Sequence, residues 1–314
     1  MAGRLVTDTS DFMSIDIGDR VAVGGREYRV TGNAREGRFG VEDPKMWVKW
    51  VVDEESGDRK LMKLVFFETF VTSLGGVKIR CFRDPVKEGD ILALVKDHPY
   101  FMQGVAYNDN QDNSVRIIDV VRGKNFYFYI EGLNMSHKTY FEEVLPGILK
   151  NLVKAFESLR YLHINGFRHG DVRNDHIIID KESGNYTWID FDYDYQATEN
   201  PFGLDIFGMG NILLYAIGMG FHTLHLIKYD TRKYGNLFES LEPSDLSILD
   251  GNRVMNLRKV FPYIPKALNN ILLHFSRGCE VYYESTDELI EDVNRCLYSV
   301  LMGSTNRRWA WILF

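Results

Sequence analysis

Between about residue 15 and residue 132, the hydrophobic positions follow a pattern that is typical of β-strands. Six segments are rich in β-branched and aromatic residues, and glycine, aspartate and asparagine separate them. These segments are GREYRVTG, KMWVKWVV, RKLMKLVFF, GVKIRCF, SVRIIDVV and NFYFYIEG. One helix is predicted among them, because Asp84 can cap its start, Ile91 lies on an apolar face and Pro99 can end it.

From about residue 133 the apolar residues take the spacing of helices. The segment 141–164 has apolar residues three and four positions apart, and Gly166 follows it. Two short strand-like pieces, HIIID and TWIDF, come next. Further helices are predicted at 203–219, 266–277 and 286–302. A strand-rich part before a helix-rich part predicts an α+β protein with two lobes. The predicted division is a loose N-terminus (1–14), a strand-rich lobe (15–132) and a helical lobe (133–314).

Composition and charge disfavour several classes of protein. Hydrophobic residues make up 45% of the 314 residues and charged residues 26%, as in globular proteins and unlike disordered or collagen-like chains. The net charge of -7 disfavours a dedicated nucleic-acid-binding protein. The three cysteines lie far apart, which predicts neither a zinc site nor a disulfide framework and favours a cytoplasmic location. We expect no membrane span and no secretory signal, because no long apolar stretch is present.

Two aspartates beside the short predicted strands can share one cleft. Asp171 lies in RHGDVRNDHIII, and Asp190 lies 19 positions further along the chain in TWIDFD. Phosphoryl transfer needs such a pair, because one carboxylate can orient an acceptor hydroxyl while the other holds a divalent ion. Either aspartate alone would be an ordinary turn or capping residue.

These segments resemble motifs of the protein-kinase-like superfamily. RHGDVRNDHIII is similar to the kinase catalytic loop, WIDFD to the metal-binding DFG segment, and GLDIFGMGNILLYAIG to the DxWxxG helix. ESGDRKLMKLVF resembles the hairpin of the nucleotide lysine, GDILALVKDHPYFM the end of the next helix, and FYFYIEG the strand before the hinge. The resemblance covers about residues 20–225 in the family's order, which implies a two-lobed kinase-like fold.

The resemblance implies how ATP would bind. Lys63 would bridge the α- and β-phosphates and pair with Glu88 on the following helix, with Asp90 and Glu68 as alternative partners. The turn Gly37-Arg38-Phe39-Gly40 resembles the second half of a glycine-rich loop. Ile130, Glu131 and Gly132 would meet the adenine edge. The full set of expected ATP-binding residues is Gly37, Phe39, Gly40, Lys63, Glu88, Ile130, Glu131 and Gly132.

The resemblance also implies the catalytic and metal-binding residues. Asp171 would be the catalytic base that orients the acceptor hydroxyl, and Lys63 and Arg173 would be the other catalytic residues. Asp190 would hold Mg²⁺ or Mn²⁺ beside the phosphates. Asp205 would have a structural role, because the matching residue of the family hydrogen-bonds the backbone of the catalytic loop.

The chain departs from the family pattern at positions that bear on phosphate binding and regulation. Arg35 stands where the first glycine of the loop is expected, and Gly170 replaces the arginine that clamps a phosphorylated activation loop. Only about fourteen residues separate Asp190 from Asp205, and no APE motif appears. We therefore expect no phosphorylation switch. Arg173 replaces a lysine, although its planar fork can still bind phosphate.

His176 occupies the position of the asparagine that binds a second metal ion in the family. It either packs under the loop or binds the metal or a phosphate, and as a ligand it would suit Mn²⁺ better than Mg²⁺. Asn174 is an alternative metal ligand. Asp192 stands where glycine is usual, and we expect it to face water rather than to assist the metal. His169 is expected to be structural, with its ring packed beneath Asp190.

The expected function is therefore ATP-dependent transfer of the γ-phosphate to a hydroxyl. HGD is typical of small-molecule phosphotransferases, whereas the lysine hairpin and the HPY turn are more like those of protein kinases. We favour serine or threonine of a protein as the acceptor and keep a small-molecule acceptor as an alternative. A further alternative is a pseudokinase that binds nucleotide or a partner, because His176 and the incomplete glycine loop depart from active kinases.

Overall fold

The computed structural model of the chain describes residues 3–38, 41–196 and 199–303. These residues form thirteen β-strands and ten α-helices. The strands are β1 (Leu5–Val6), β2 (Arg20–Val23), β3 (Arg26–Arg38), β4 (Val41–Asp53), β5 (Arg59–Lys63), β6 (Thr69–Leu74), β7 (Val77–Arg83), β8 (Gly104–Asn108), β9 (Ser114–Asp119), β10 (Gly123–Asn125), β11 (Ile177–Asp180), β12 (Tyr186–Trp188) and β13 (Tyr193–Tyr195). The helices are α1 (Pro85–Leu94), α2 (Phe126–Glu131), α3 (His137–Glu143), α4 (Leu145–Ile164), α5 (Gly203–Gly218), α6 (Leu224–Tyr229), α7 (Thr231–Tyr234), α8 (Leu257–Val260), α9 (Lys266–Leu273) and α10 (Thr286–Gly303). Two predicted ATP-binding residues, Phe39 and Gly40, lie outside the described residues.

The largest sheet has seven strands in the order β1-β2-β3-β4-β5-β9-β8. β1 and β2 are parallel, and the other neighbouring strands are antiparallel. The apolar core of this sheet includes Val21, Val30, Val51, Met62 and Val115. Because side chains alternate along a strand, Lys63 lies on the opposite face from Met62. Its strand is interior, since Lys63 pairs with Val48 on one side and with Arg116 on the other.

The N-terminal segment that we expected to be loose is bound to the rest of the protein. Leu5–Val6 pairs with β2. The backbone N–H and the hydroxyl of Thr9 donate to Oδ2 of Asp109 at 2.6 and 2.7 Å, and Nε of Arg4 lies 3.1 Å from Oδ2 of Asp19. The expectation is wrong for these residues, because their polar groups have partners that are distant in the sequence.

A three-stranded sheet in the order β13-β7-β6 connects the segment before α1 to the segment after β12. Tyr193 of β13 pairs with Arg83 of β7. α1 begins directly after β7, where the side chain of Asp84 accepts hydrogen bonds from the backbone N–H groups of Val86 and Lys87. This cap satisfies two free donors of the first turn and confirms the predicted start of the helix.

The helices α3, α5 and α10 pack against α4, which is 20 residues long. Phe156 and Leu159 of α4 share one apolar core with Ile91 of α1 and Leu213 of α5. A break at Val144 divides the predicted helix 141–164 between α3 and α4, whereas α5, α9, α10, β11 and β12 confirm predicted elements. The fold is mixed α and β, as predicted. Among the residues that the structure describes, no helix has both the length and the apolar composition that crossing a bilayer requires.

The segment NFYFYIEG forms the helix α2 rather than the predicted strand. The side chain of Asn125 accepts a hydrogen bond from a backbone N–H of the first turn at 2.9 Å. Phe126 and Ile130, four positions apart, are buried in the helical core. Aromatic residues favour strands only in a suitable context, and here the cap and the buried helical face decide. The predicted strand and hinge at Ile130–Gly132 are therefore wrong, and residues 120–122 connect β9 to β10.

Leu159→Ala is expected to lower the free energy of unfolding by about 2–5 kcal/mol, because it leaves a cavity at a fully buried position. Lys154→Ala, on the exposed face of the same helix, is expected to change it by less than about 0.5 kcal/mol. Urea unfolding followed by circular dichroism measures both values. Equal effects of the two variants would contradict the central position of α4.

Candidate functional site

Three of the predicted site residues meet in one cluster. Nζ of Lys63 on β5 lies 2.6 Å from Oε1 of Glu88 on α1. The same Nζ lies 2.5 Å from Oδ1 of Asp190, which follows β12, and 3.4 Å from Oδ2 of Asp192. The predicted pair of Lys63 and Glu88 is confirmed. A single ammonium group thus joins three segments that are far apart in the sequence.

Arg116 completes the pairing of Glu88, although we did not single it out in the sequence. It lies on β9 directly opposite Lys63 on β5, so both cationic side chains are on the same face of the sheet. Nε of Arg116 lies 3.1 Å from Oε2 of Glu88, and each oxygen of this fully buried carboxylate therefore has its own cation. A buried charge needs such compensation. The available signal was a charged residue between Val115 and Ile117 in an apolar strand.

The expectation that Asp192 faces water is wrong. Its side chain is 3% exposed, and its Oδ2 lies 2.5 Å from Nη1 of Arg83. Arg83 also lies 2.9 Å from Oε2 of Glu68 and stacks over the ring of Tyr193. Glu68, an alternative partner for Lys63 in the sequence, is therefore bound to another cation. Lys63 and Arg83 together compensate the charge of Asp192, which explains why it can lie in the interior.

The charges of the cluster determine which of its groups are ionised. Burial would raise the pKa of Asp190, but the ammonium groups of Lys63 and Lys45 lower it well below its usual value. Burial would lower the pKa of Lys63, but the surrounding carboxylates, foremost that of Asp190, raise it. Both groups are therefore charged at neutral pH.

Asp205, near the start of α5, holds the backbone of the predicted catalytic loop. Its Oδ2 accepts a hydrogen bond from the backbone N–H of His169 at 2.7 Å, and its Oδ1 accepts one from Gly170 at 3.0 Å. Its Oδ2 also lies 3.0 Å from Nε2 of His163. Burial would raise the pKa of Asp205, but its hydrogen bonds, foremost that with His163, lower it. The predicted contact of Asp205 with the loop is confirmed.

Close packing fixes the positions of His169 and Gly170, the two residues before Asp171. The buried ring of His169 lies 5.1 Å from Trp188 and 5.4 Å from Phe191, and burial lowers the pKa of His169 to about 3. The ring is therefore neutral, in agreement with the structural role expected for it. Gly170 has a φ of +86°, and a Cβ there would lie 1.8 Å from the carbonyl oxygen of Tyr193. This close approach leaves no room for a side chain at Gly170.

Lys87 connects α1 to the same loop, a contact that the sequence did not reveal. Its Nζ donates to the carbonyl oxygens of Arg168 at 2.9 Å and His169 at 3.2 Å, and also to that of Tyr193. The side chain is buried, and burial lowers the pKa of Lys87. A lysine in the charged segment VKEGD gives no sign that it points inward.

Asp171, Arg173 and His176 form the other half of the site. Nδ1 of His176 lies 2.9 Å from the carbonyl oxygen of Asp171 and 3.6 Å from its Oδ2. Nη2 of Arg173 donates to Nε2 of His176 at 2.9 Å, which leaves the proton of the neutral ring on Nδ1. Nε2 of His176 lies 3.8 Å from Oδ2 of Asp190. The histidine therefore lies between the two aspartates that the sequence predicts to work together, and of these two it hydrogen-bonds only Asp171, through the main chain.

Two other predicted ligands are less favourably placed. The guanidinium of Arg173 binds Asp175 through Nε at 3.0 Å and Nη2 at 2.8 Å. A phosphate would compete with Asp175 for this group. Asn174 is buried, and its amide nitrogen has no hydrogen-bond partner in the described part of the chain. In the part of the chain that the structure describes, Asn174 makes no hydrogen bond with Asp190.

Carboxylate oxygens that could hold a divalent ion lie close together. Glu88, Asp190 and Asp192 each offer one oxygen, and these atoms lie within 4.8 Å of one another. The ammonium of Lys63 already contacts all three carboxylates. Each of the two aspartates has one oxygen that does not bond Lys63: Oδ1 of Asp192, which has no hydrogen-bond partner among the described residues, and Oδ2 of Asp190. Because the side chain of Asp190 is 22% exposed and that of Asp192 only 3%, Oδ2 of Asp190 is the oxygen that an ion can reach. It lies 3.8 Å from Nε2 of His176 and 3.8 Å from Nζ of Lys45.

The remaining predicted ATP-binding residues lie on other elements. Ile130 is 1% exposed in the helical core, and Glu131 and Gly132 lie at the end of α2. Gly37 lies near the end of β3, where it pairs with Glu42 of β4. Burial of Ile130 in the core means that its side chain does not line a cleft.

Comparison with known proteins adds no family assignment. In a scan against protein-family models no model matches the chain, and a comparison with curated proteins finds no significant match.

Arg83→Ala is expected to lower the free energy of unfolding by about 3–5 kcal/mol, because it removes a partner of the buried Asp192. Arg80→Ala is the matched control, since Arg80 lies exposed on the same strand and is expected to change stability by less than about 0.5 kcal/mol. Urea denaturation compares the two. If Arg83→Ala is no more harmful than Arg80→Ala, Arg83 does not compensate Asp192.

Asp205→Asn is expected to lower the free energy of unfolding by about 1.5–3 kcal/mol at pH 7, because a charged hydrogen-bond acceptor is lost. The pKa of Asp205 is lowered in the folded state, so its stabilisation is present above the unfolded value of about 3.9. It is lost as the pH falls through the lower folded value. The gap between the parent and the variant should persist to about pH 5 and shrink below about pH 4. Denaturant titrations at several pH values measure the gap, and an undiminished gap at about pH 3 would be inconsistent with an ionised Asp205.

Proposed function

We propose that the chain is an ATP-dependent phosphotransferase with a two-lobed kinase-like fold. The observation that carries the proposal is the position of Lys63, which binds Glu88 of α1 and Asp190 after β12 at the same time. Kinases use a lysine–glutamate pair from a strand and the following helix beside a metal-binding aspartate. The chain has these residue types in this order, with Lys63 on β5, Glu88 on α1 and Asp190 after β12.

In this proposal ATP lies between a strand-rich lobe, which ends at β9, and a helical lobe that begins at β10. The adenine would meet the backbone of residues 120–122, because they connect β9 to β10. This position replaces the predicted one at Ile130–Gly132, which lies on α2. Lys63 would then lie on the strand next to β9, on the side where the phosphates would be.

Asp171 would accept the proton of the acceptor hydroxyl. Burial raises the pKa of Asp171, although His176 and Arg173 oppose the shift, and a raised pKa makes a carboxylate a better base. His176 would hold the main chain of Asp171 through its Nδ1. Asp190 would present its Oδ2 to a divalent ion, and the bound ion would neutralise charge on the transferred phosphoryl group. His176 could add its Nε2 only by giving up its hydrogen bond with Arg173.

The acceptor that we propose is a serine or threonine hydroxyl of a protein, with a small-molecule hydroxyl as the alternative. The pairing of β13 with β7 favours the small-molecule acceptor, because it holds the short segment after Asp190 in place. In protein kinases the corresponding segment presents the peptide. We place the reaction in a reducing, cytoplasmic compartment, because Cys81, Cys279 and Cys296 form no disulfide bond within the described residues.

A pseudokinase is the second candidate, and a specific observation favours it. Both ring nitrogens of His176 have protein partners, and the fork of Arg173 binds Asp175. Neither residue is therefore free to bind phosphate or metal without rearrangement. Such a chain would bind nucleotide through Lys63 without transferring phosphate.

Asp171→Asn is expected to reduce transfer of labelled γ-phosphate from ATP by at least about 100-fold, because it removes the proposed base. The assay uses the full chain with Mg²⁺ and separately with Mn²⁺. It offers the chain itself, a generic protein and a mixture of small alcohols and sugars as acceptors. Asp58→Asn is the matched control, since Asp58 lies exposed in the hairpin between β4 and β5.

Transfer that is lost in Asp171→Asn but kept in Asp58→Asn would support the proposed base. Transfer that is equal in both variants would contradict it. Binding of ATP to the parent without transfer to any acceptor would favour the pseudokinase.

A further inference from the structure

The strand β4 carries an unusual bulge beside the proposed site. Asn33 of β3 pairs with Lys49 of β4, but the next residue, Ala34, pairs with Lys45. Residues 46–48 of β4 therefore have no partners on β3. A bulge bends its strand and changes the direction of nearby side chains, and bulges are common next to active sites.

Packing and hydrogen bonding hold this bulge in place. The ring of Trp47 stacks on Phe66 with centroids 4.1 Å apart, and the guanidinium of Arg83 lies 5.2 Å from the centre of the Trp47 ring. The backbone N–H of Leu64 donates to the carbonyl oxygen of Trp47 at 2.8 Å. Val48 remains paired with Lys63 on β5. The bulge is therefore a defined part of the fold. It follows Lys45 directly in the chain, so it also fixes the position of Lys45.

Lys45 and Lys63 approach different oxygens of the Asp190 carboxylate. Nζ of Lys45 is 3.8 Å from Oδ2 of Asp190, whereas Nζ of Lys63 is 2.5 Å from Oδ1. The side chain of Lys45 is 19% exposed, against 7% for Lys63. Because its side chain is the more accessible of the two, Lys45 is the cation that an incoming anion meets first.

The site needs a further cation for phosphate. Arg35 stands where a glycine would let the backbone approach the phosphates, and the fork of Arg173 is bound to Asp175. An ammonium group on a flexible stem can bind phosphate as a point charge and can adjust its position. We propose that Lys45 is a second phosphate-binding lysine, which the bulge of β4 directs toward the triphosphate of a bound nucleotide.

This inference rests on the proposed function, because it presumes a nucleoside triphosphate in the same site. Its test measures binding of ATP and of adenosine to the full chain by calorimetry, without any assay of transfer. Lys45→Met is expected to weaken ATP binding by about 10- to 100-fold and to leave adenosine binding unchanged, since only the phosphates lose a charged partner. Lys45→Arg should retain most of the affinity for ATP.

Two further variants separate the possible results. Lys63→Met is the positive control for loss of phosphate binding, and Lys78→Met is the matched control because Lys78 lies exposed on β7. ATP binding that falls in Lys63→Met but not in Lys45→Met would overturn this inference and leave the proposed function standing. Equal loss of ATP and adenosine binding in Lys45→Met would overturn it too, because the residue would then act through the structure. A parent chain that binds no ATP would overturn both proposals.

Discussion

The arrangement of the site depends on one buried ammonium group, that of Lys63. It contacts Glu88, Asp190 and Asp192, which come from α1 and from the segment after β12. Carboxylates so close to one another would repel, and burial would make their charges costly without a cation among them. The same contacts keep Lys63 and Asp190 ionised. The charge of Lys63 therefore holds the three carboxylates together and is the largest of the charges that lower the pKa of Asp190.

Further hydrogen bonds and ion pairs hold the groups around Lys63 in place. Arg116 binds the second oxygen of Glu88, and Arg83 binds Asp192. Lys87 joins α1 to the loop before Asp171, and Asp205 holds the backbone of that loop. Positioning by such outer contacts would matter for the phosphoryl transfer that we propose, because its catalysis depends mostly on placement and charge rather than on covalent steps.

The hydrophobic periodicity and the motifs were sufficient for much of this arrangement. Long helices such as α4 and α5 were predictable because their apolar spacing is regular over many residues. Lys63, Glu88 and Asp205 were predictable because each occupies a fixed place in a motif, and their predicted contacts are present. The helix α2 was not predictable from its aromatic segment, because a cap and the burial of Phe126 and Ile130 outweighed the strand propensity of this segment.

By itself the sequence determined the mixed α and β character, the long helices and the pairing of Lys63 with Glu88. Tertiary structure alone decided the partners of Asp192, Arg116 and Lys45. Asp192 is buried because Arg83 reaches it from β7, and Lys45 meets Asp190 because three residues of β4 bulge out of register with β3. These contacts join residues far apart in the chain. The direction of such side chains depends on strand register and packing, which local composition does not encode.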